Sequence, residues 1–135
     1  MKKPWQQLIH DGARNIPSDP REAFIAALAQ AHSEVEQVFN DEGRSILFEK
    51  GKKPGEGAIF VEYKLRKELV LSVSASEKAV SFRIFNIEKE SVDCHAGSPD
   101  DFDASILRNV IAYFYNLSVK REKIPRNVNA SDFAD

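Results

Sequence analysis

The chain has 135 residues, 42% hydrophobic and 30% charged, with a formal net charge of −2. That is long enough for one domain to build a core without staples, and the proportions are ordinary for a soluble globular protein. One cysteine excludes an internal disulfide, the absence of an apolar run near roughly 20 residues excludes a membrane helix, and the balance lacks the basic excess usual in nucleic-acid-binding domains.

The start, Met1-Lys2-Lys3-Pro4-Trp5-Gln6-Gln7, has two lysines but no apolar segment behind them. It reads as no secretion signal, and the lone Cys94 fits a reducing cytosol. A short helix is expected over Pro4 to Ala13, carrying Trp5, Leu8 and Ile9, and Asn15 to Ser18 breaks it. Asp19-Pro20-Arg21-Glu22 has the form of a helix start, with Asp19 as cap, Pro20 in the first turn and Glu22 closing a capping box. Phe24, Leu28, Ala31, Val35, Val38 and Phe39 recur at helical spacing, and Gly43 is the expected stop.

Ser45 to Lys50 reads as a first strand, followed by the loop Gly51 to Gly57. Three alternating runs come next. Ile59, Val61, Tyr63 and Leu65 share a face, as do Leu69, Leu71, Val73 and Ala75, and then Val80, Phe82 and Ile84. Period two means half-buried strands. The joints at Arg66-Lys67-Glu68 and Ser76-Glu77-Lys78 are too short for a crossover helix, so the strands are antiparallel. A fifth strand is expected at Ser91 to His95. Ser98-Pro99-Asp100-Asp101 starts the last helix, with Phe102, Ile106, Val110, Tyr113, Phe114 and Leu117 as its buried stripe. The expected fold is α+β, a meander of four to five antiparallel strands with N- and C-terminal helices on its apolar face. Residues 1–122 form one domain and 123–135 a loose tail.

Charge is segregated. Residues 19–43 hold one basic and six acidic side chains, 44–68 seven and four, and 88–103 one and six. Such blocks can steer a charged partner, although solvated helix faces and helix-start carboxylates are the default account of them.

Four constellations invite chemistry. The glycine- and lysine-rich loop 51–57 lacks the Gly-Lys-Ser/Thr ending and following helix of a phosphate loop, so it reads as a hairpin loop. Cys94 and His95 are neighbours on a strand and point to opposite faces, so they cannot pair. His10 or His32 could reach Cys94 only through the fold, and Cys94 with His32 is one such nucleophile-and-base combination. The three histidines have no metal-ligand spacing, and Asp93, Asp100, Asp101 and Asp103 lack a calcium-loop rhythm, so no metal and no cofactor is expected. Capping accounts for Asp100 and Asp101, and Asp93 reads as solvated.

Phe60 and Phe85 are the exception. By alternation both lie on the polar sheet face. Phe60 shares it with Glu62, Lys64 and Arg66, and Phe85 shares it with Ser81 and Arg83. Exposed sheet aromatics stack bases in some RNA readers, but the glycine-aromatic pattern of those readers is missing. Aromatics beside an arginine also anchor protein interfaces. A third reading has the N-terminal segment with Trp5 covering the face. Ser72, Ser74, Ser76 and Ser81 make the rest of the face small and polar.

The expectation is a non-enzymatic cytoplasmic protein-binding module of a chaperone, inhibitor or immunity type. Its partner is another protein, held by Phe60, Arg66, Arg83 and Phe85 with the acidic flank Asp93 to Asp103. The alternative is nucleic-acid binding through Lys50, Lys52, Lys53, Lys64, Arg66 and Arg83. A second alternative is a small enzyme built on Cys94. Homo-oligomerisation through an uncovered edge strand is compatible with each.

Overall fold

The computed structural model describes residues 19–63, 66–85, 91–120 and 122–135, and of Tyr63, Arg66 and Leu69 it describes the backbone alone. The expected helix at Pro4–Ala13 and the cover by Trp5 lie outside these residues. So do the side chains of Lys64 and Arg66.

Helix α1 runs Pro20–Asp41. Asp19 caps it by accepting from the Arg21 backbone N–H at 2.9 Å, and the Arg21 guanidinium then grips the same carboxylate. Arg21 thus closes the cap, the role expected of Glu22, which stays exposed. The helix ends in a Schellman turn. Gly43, at φ 73°, donates to Asn40 and Arg44 donates to Phe39, which satisfies carbonyls the last turn would orphan. Phe24, Ile25, Leu28, Ala31 and Val35 are buried, but Val38, expected in the stripe, is 60% exposed.

Strands β1 (Ser45–Lys50), β2 (Glu56–Tyr63), β3 (Arg66–Ala75), β4 (Val80–Phe85) and β5 (Ser91–Ala96) form one antiparallel sheet in chain order. Two details differ from the sequence expectation. Arg66 to Glu68 belong to β3, since Arg66 already pairs with Tyr63. A bulge between Ile59 and Phe60 shifts the register, so Ile59 faces Leu71 while Phe60 faces Leu69. An extra residue in one strand breaks the alternation. Val70 and Leu71, neighbours in sequence, are accordingly both buried.

A 3-10 turn at Pro99–Asp101, capped by Ser98, precedes helix α2 at Ala104–Lys120. The last helix thus starts later than its sequence signal. Phe102 is extended (φ −107°, ψ 99°) and only 3% exposed, so burying this ring breaks the chain between turn and helix. Asp103, accepting from Ile106 N–H at 2.8 Å, is the working cap of α2. Leu107, Val110, Ile111, Phe114 and Leu117 are buried, while Tyr113 is 39% exposed.

Both helices pack on one face of the sheet, and the core lies between. Phe82 is fully buried, with rings of Phe24, Phe102 and Phe114 at centroid distances of 6.5, 5.8 and 5.7 Å. No described helix is long and apolar enough to cross a membrane.

The tail expected to be loose is docked. Ile124, Val128 and Phe133 are buried. His95 donates to Arg126 O at 2.7 Å and accepts from Val128 N–H at 2.9 Å, so the tail runs parallel along the edge of β5. A second 3-10 turn at Ala130–Phe133 follows. Asp135 accepts from Ser105, Arg108 and Asn109 of α2, which holds its carboxyl below the ordinary carboxylate range. An irregular spacing of three apolar residues carries no periodic signal, yet a strand edge and a helix groove can bury each of them.

Candidate partner-binding face

Alternation along the strands leaves a second sheet face that the two helices do not touch. The register turns this face into rows. Glu49, Ala58, Ser72, Arg83 and Asp93 stand side by side across the five strands. In the next row Glu56, Ser74, Ser81 and His95 do so on β2 to β5. Ala58 and Ser72 in the first row and Ser74 and Ser81 in the second are small, and larger polar side chains stand toward the ends. The result is a trough of about 570 Å³ over Ala58, Ser72, Ser74 and Ser81, bounded by Glu49, Glu56, Arg83 and Asp93.

On the other side of the charged row lies an apolar one. Phe60 on β2 pairs across with Leu47 on β1, and Phe85 ends β4 two residues beyond Arg83. All three are half-buried. Phe85 also has its backbone tied to the core side, where its carbonyl accepts from Ser118 Oγ at 2.7 Å. Leu47 escaped the sequence reading, yet its signal was present. Ile46-Leu47-Phe48 is apolar on both phases, so one of the three had to face outward.

Four of the charges on this face are paired, Arg83 with Asp93 and Lys67 with Glu49. Arg83 donates to Asp93 at 2.8 Å, which lowers the carboxyl and raises the guanidinium pKa. Asp93 is therefore a partner of Arg83 rather than merely solvated. Lys67 pairs with Glu49 and lies 4.3 Å from the centre of the Phe60 ring. Arg66, a candidate contact, pairs through its backbone with Tyr63 at the start of β3. Lys50, Lys52 and Lys53 are exposed at the β1–β2 hairpin.

That hairpin is closed by Gly51 N–H donating to Glu56 O at 2.8 Å. Gly55, at φ 83°, is required there, because a Cβ would lie 2.3 Å from Ala75 O. The glycines serve the turn and the approach of β3.

Cys94 is fully buried on the core side of β5, and burial pushes its thiol up to about 11. His32 is held at β1, with Nε2 2.8 Å from Ile46 O. Four strand spacings, roughly 19 Å, separate those two strands. The Cys94–His32 combination is therefore not brought together. His95 instead meets Ser81, Oγ to Nδ1 at 3.2 Å, on the open face. Asp93, the carboxylate nearest along the strand, is engaged by Arg83. Among the described residues no three His, Cys, Asp or Glu side chains gather as a metal site.

Comparison with known protein families, curated proteins and solved structures finds no match for this chain.

Proposed function

We propose that the chain is a non-enzymatic protein-binding module of the cytoplasm, engaging another folded protein through the outer sheet face. The observation that supports this most is the layout of that face. A half-buried apolar row of Leu47, Phe60 and Phe85 lies beside a trough with small side chains on its floor, and paired charges flank both. An apolar centre within a polar rim is the anatomy of a protein interface. Aromatics near its middle are the side chains that most often carry binding energy. The matching partner offers an apolar side chain to the trough and mixed charges to its rim. An inhibitor, chaperone or immunity role fits such a surface.

The charge pairing argues against nucleic acid as the ligand. A phosphate backbone calls for unpaired cations, and its binding weakens steeply with salt. Arg83 and Lys67 are already matched by Asp93 and Glu49 on this face. The buried, protonated Cys94 argues likewise against a thiol enzyme.

The test is capture from native cell extract by the immobilised chain, with bound protein and nucleic acid both identified across a salt series. One protein retained at moderate salt, and lost by a Phe60→Ser, Phe85→Ser chain that stays folded, is the expected result. Recovery of nucleic acid alone, washing off with salt, contradicts the proposal.

A further inference from the structure

Helix α1 begins at one rim of the outer sheet face. Arg21, in its first turn, packs on the β1–β2 hairpin, where a Cβ added at Gly55 would lie 3.1 Å from the Arg21 Cβ. Arg21 also lines a cleft with Lys53, Glu56, Ser74, Glu77 and Lys78. That cleft and the trough of the outer face share Glu56 and Ser74. Residues 1–18, bonded to the fold through Asp19, are therefore tethered beside the trough. A short tether holds a segment at an effective concentration of roughly millimolar, which an outside ligand must exceed.

The chemistry of the segment matches the face. It carries Lys2, Lys3 and Arg14 against one acid, Asp11, and has Trp5, Leu8 and Ile9 among its apolar side chains. On the face, Lys67 takes Glu49 and Arg83 takes Asp93. Glu56, half-buried at the shared rim, has no ion pair among the described residues. Beyond the charged row lies the half-buried apolar row of Leu47, Phe60 and Phe85. Reach is sufficient. Even if wound as a helix, the stretch from Trp5 to Asp19 spans roughly 21 Å, against roughly 13 Å from Glu56 to Phe60 along β2.

We propose that in the free chain residues 1–18 lie across the outer face, with Arg14 at the Glu56 rim and Trp5 against Leu47, Phe60 and Phe85. This rests on the reading of that face as the partner surface and adds its regulation. A partner binds by displacing the chain's own segment, so its apparent affinity is reduced by the fraction of molecules whose face is open.

Trp5 is the sole tryptophan, so fluorescence of the full chain reads its surroundings with no partner present. Emission in buffer should lie to the blue of emission in urea, and acrylamide should quench it less. Phe60→Ser, Phe85→Ser should lose most of both differences while far-ultraviolet circular dichroism stays native. Leu47→Ser, a milder change in the same row, should lose part of them, so the test survives if the double change unfolds the chain. Val38→Ser, at an exposed position on the helix layer, should keep them. A native Trp5 as red and as readily quenched as in urea overturns the proposal. So does a protected Trp5 indifferent to every change in the apolar row. Either result leaves partner capture at this face to its own separate test.

Discussion

The ammonium of Lys67 stands 4.3 Å from the centre of the Phe60 ring while also pairing with Glu49. One cation thereby covers an aromatic and neutralises a carboxylate from the neighbouring strand. Both charged partners are well exposed, so the contact is worth little to the fold. Lys67→Met should lower stability by less than about 1 kcal/mol in urea denaturation. A larger loss would mean that the outer face is part of the folding core rather than a surface kept for a partner.

Gly43 and Gly55 both have positive φ, at 73° and 83°, but their surroundings differ. A Cβ at Gly43 meets nothing within 4 Å, whereas at Gly55 it would lie 2.3 Å from Ala75 O. Gly43→Ala should cost roughly 1 kcal/mol, the strain of a left-handed residue alone. Gly55→Ala should cost more than about 2 kcal/mol, because the backbone of β3 must also move. Urea midpoints of the two variants give the order directly, and equal costs would contradict it.

Cys94 is buried, with its thiol raised to about 11. The thiolate is the nucleophile, so at neutral pH the native thiol should resist alkylation by iodoacetamide over hours. In urea it should react at the rate of an ordinary cysteine. Rapid labelling of the folded chain would show that β5 opens locally.

Asp135 is held below the ordinary carboxylate range by bonds from Asn109 and Ser105, with Arg108 adding its charge. A lowered folded value contributes stability above the unfolded pKa of about 3.9, and that contribution is lost as pH falls through the lowered value. The docked tail should therefore be indifferent to pH between neutral and about 4 as far as this group is concerned, and loosen only below. The backbone amide shifts of Ala134 and Asp135, followed by NMR, should turn over below about pH 4. A turnover above it would mean that the three donors do not hold the carboxylate.

The strands were legible because a two-sided environment writes itself into period two. Val80, Phe82 and Ile84 are buried in the expected phase. The bulge at Ile59/Phe60 was not legible, because Leu69, Val70 and Leu71 are all apolar and either phase of β3 satisfies the pattern. Phe60 and Phe85 could be placed on the outer face by alternation alone. Their setting could not, since Lys67, Glu49 and Asp93 come near them only through register. The docked tail is illegible in the sequence for a related reason. Ile124, Val128 and Phe133 each use a different surface, an arrangement with no period. The α2 start shifted because Ser98-Pro99 caps a turn as well as it caps a helix, and burial of Phe102 chose the turn.

The central claim is that the outer sheet face is the binding surface. The most direct measurement is the affinity of a protein captured at moderate salt for the native chain and for Phe60→Ser, Phe85→Ser, by titration calorimetry. Both rings are half-buried on the outer face, so the variant should keep the native circular dichroism. Two anchors worth about 1–2 kcal/mol each correspond to an affinity loss of roughly a hundredfold. That loss in a folded variant is the expected result. An unchanged affinity would contradict the account and move the contact away from this face.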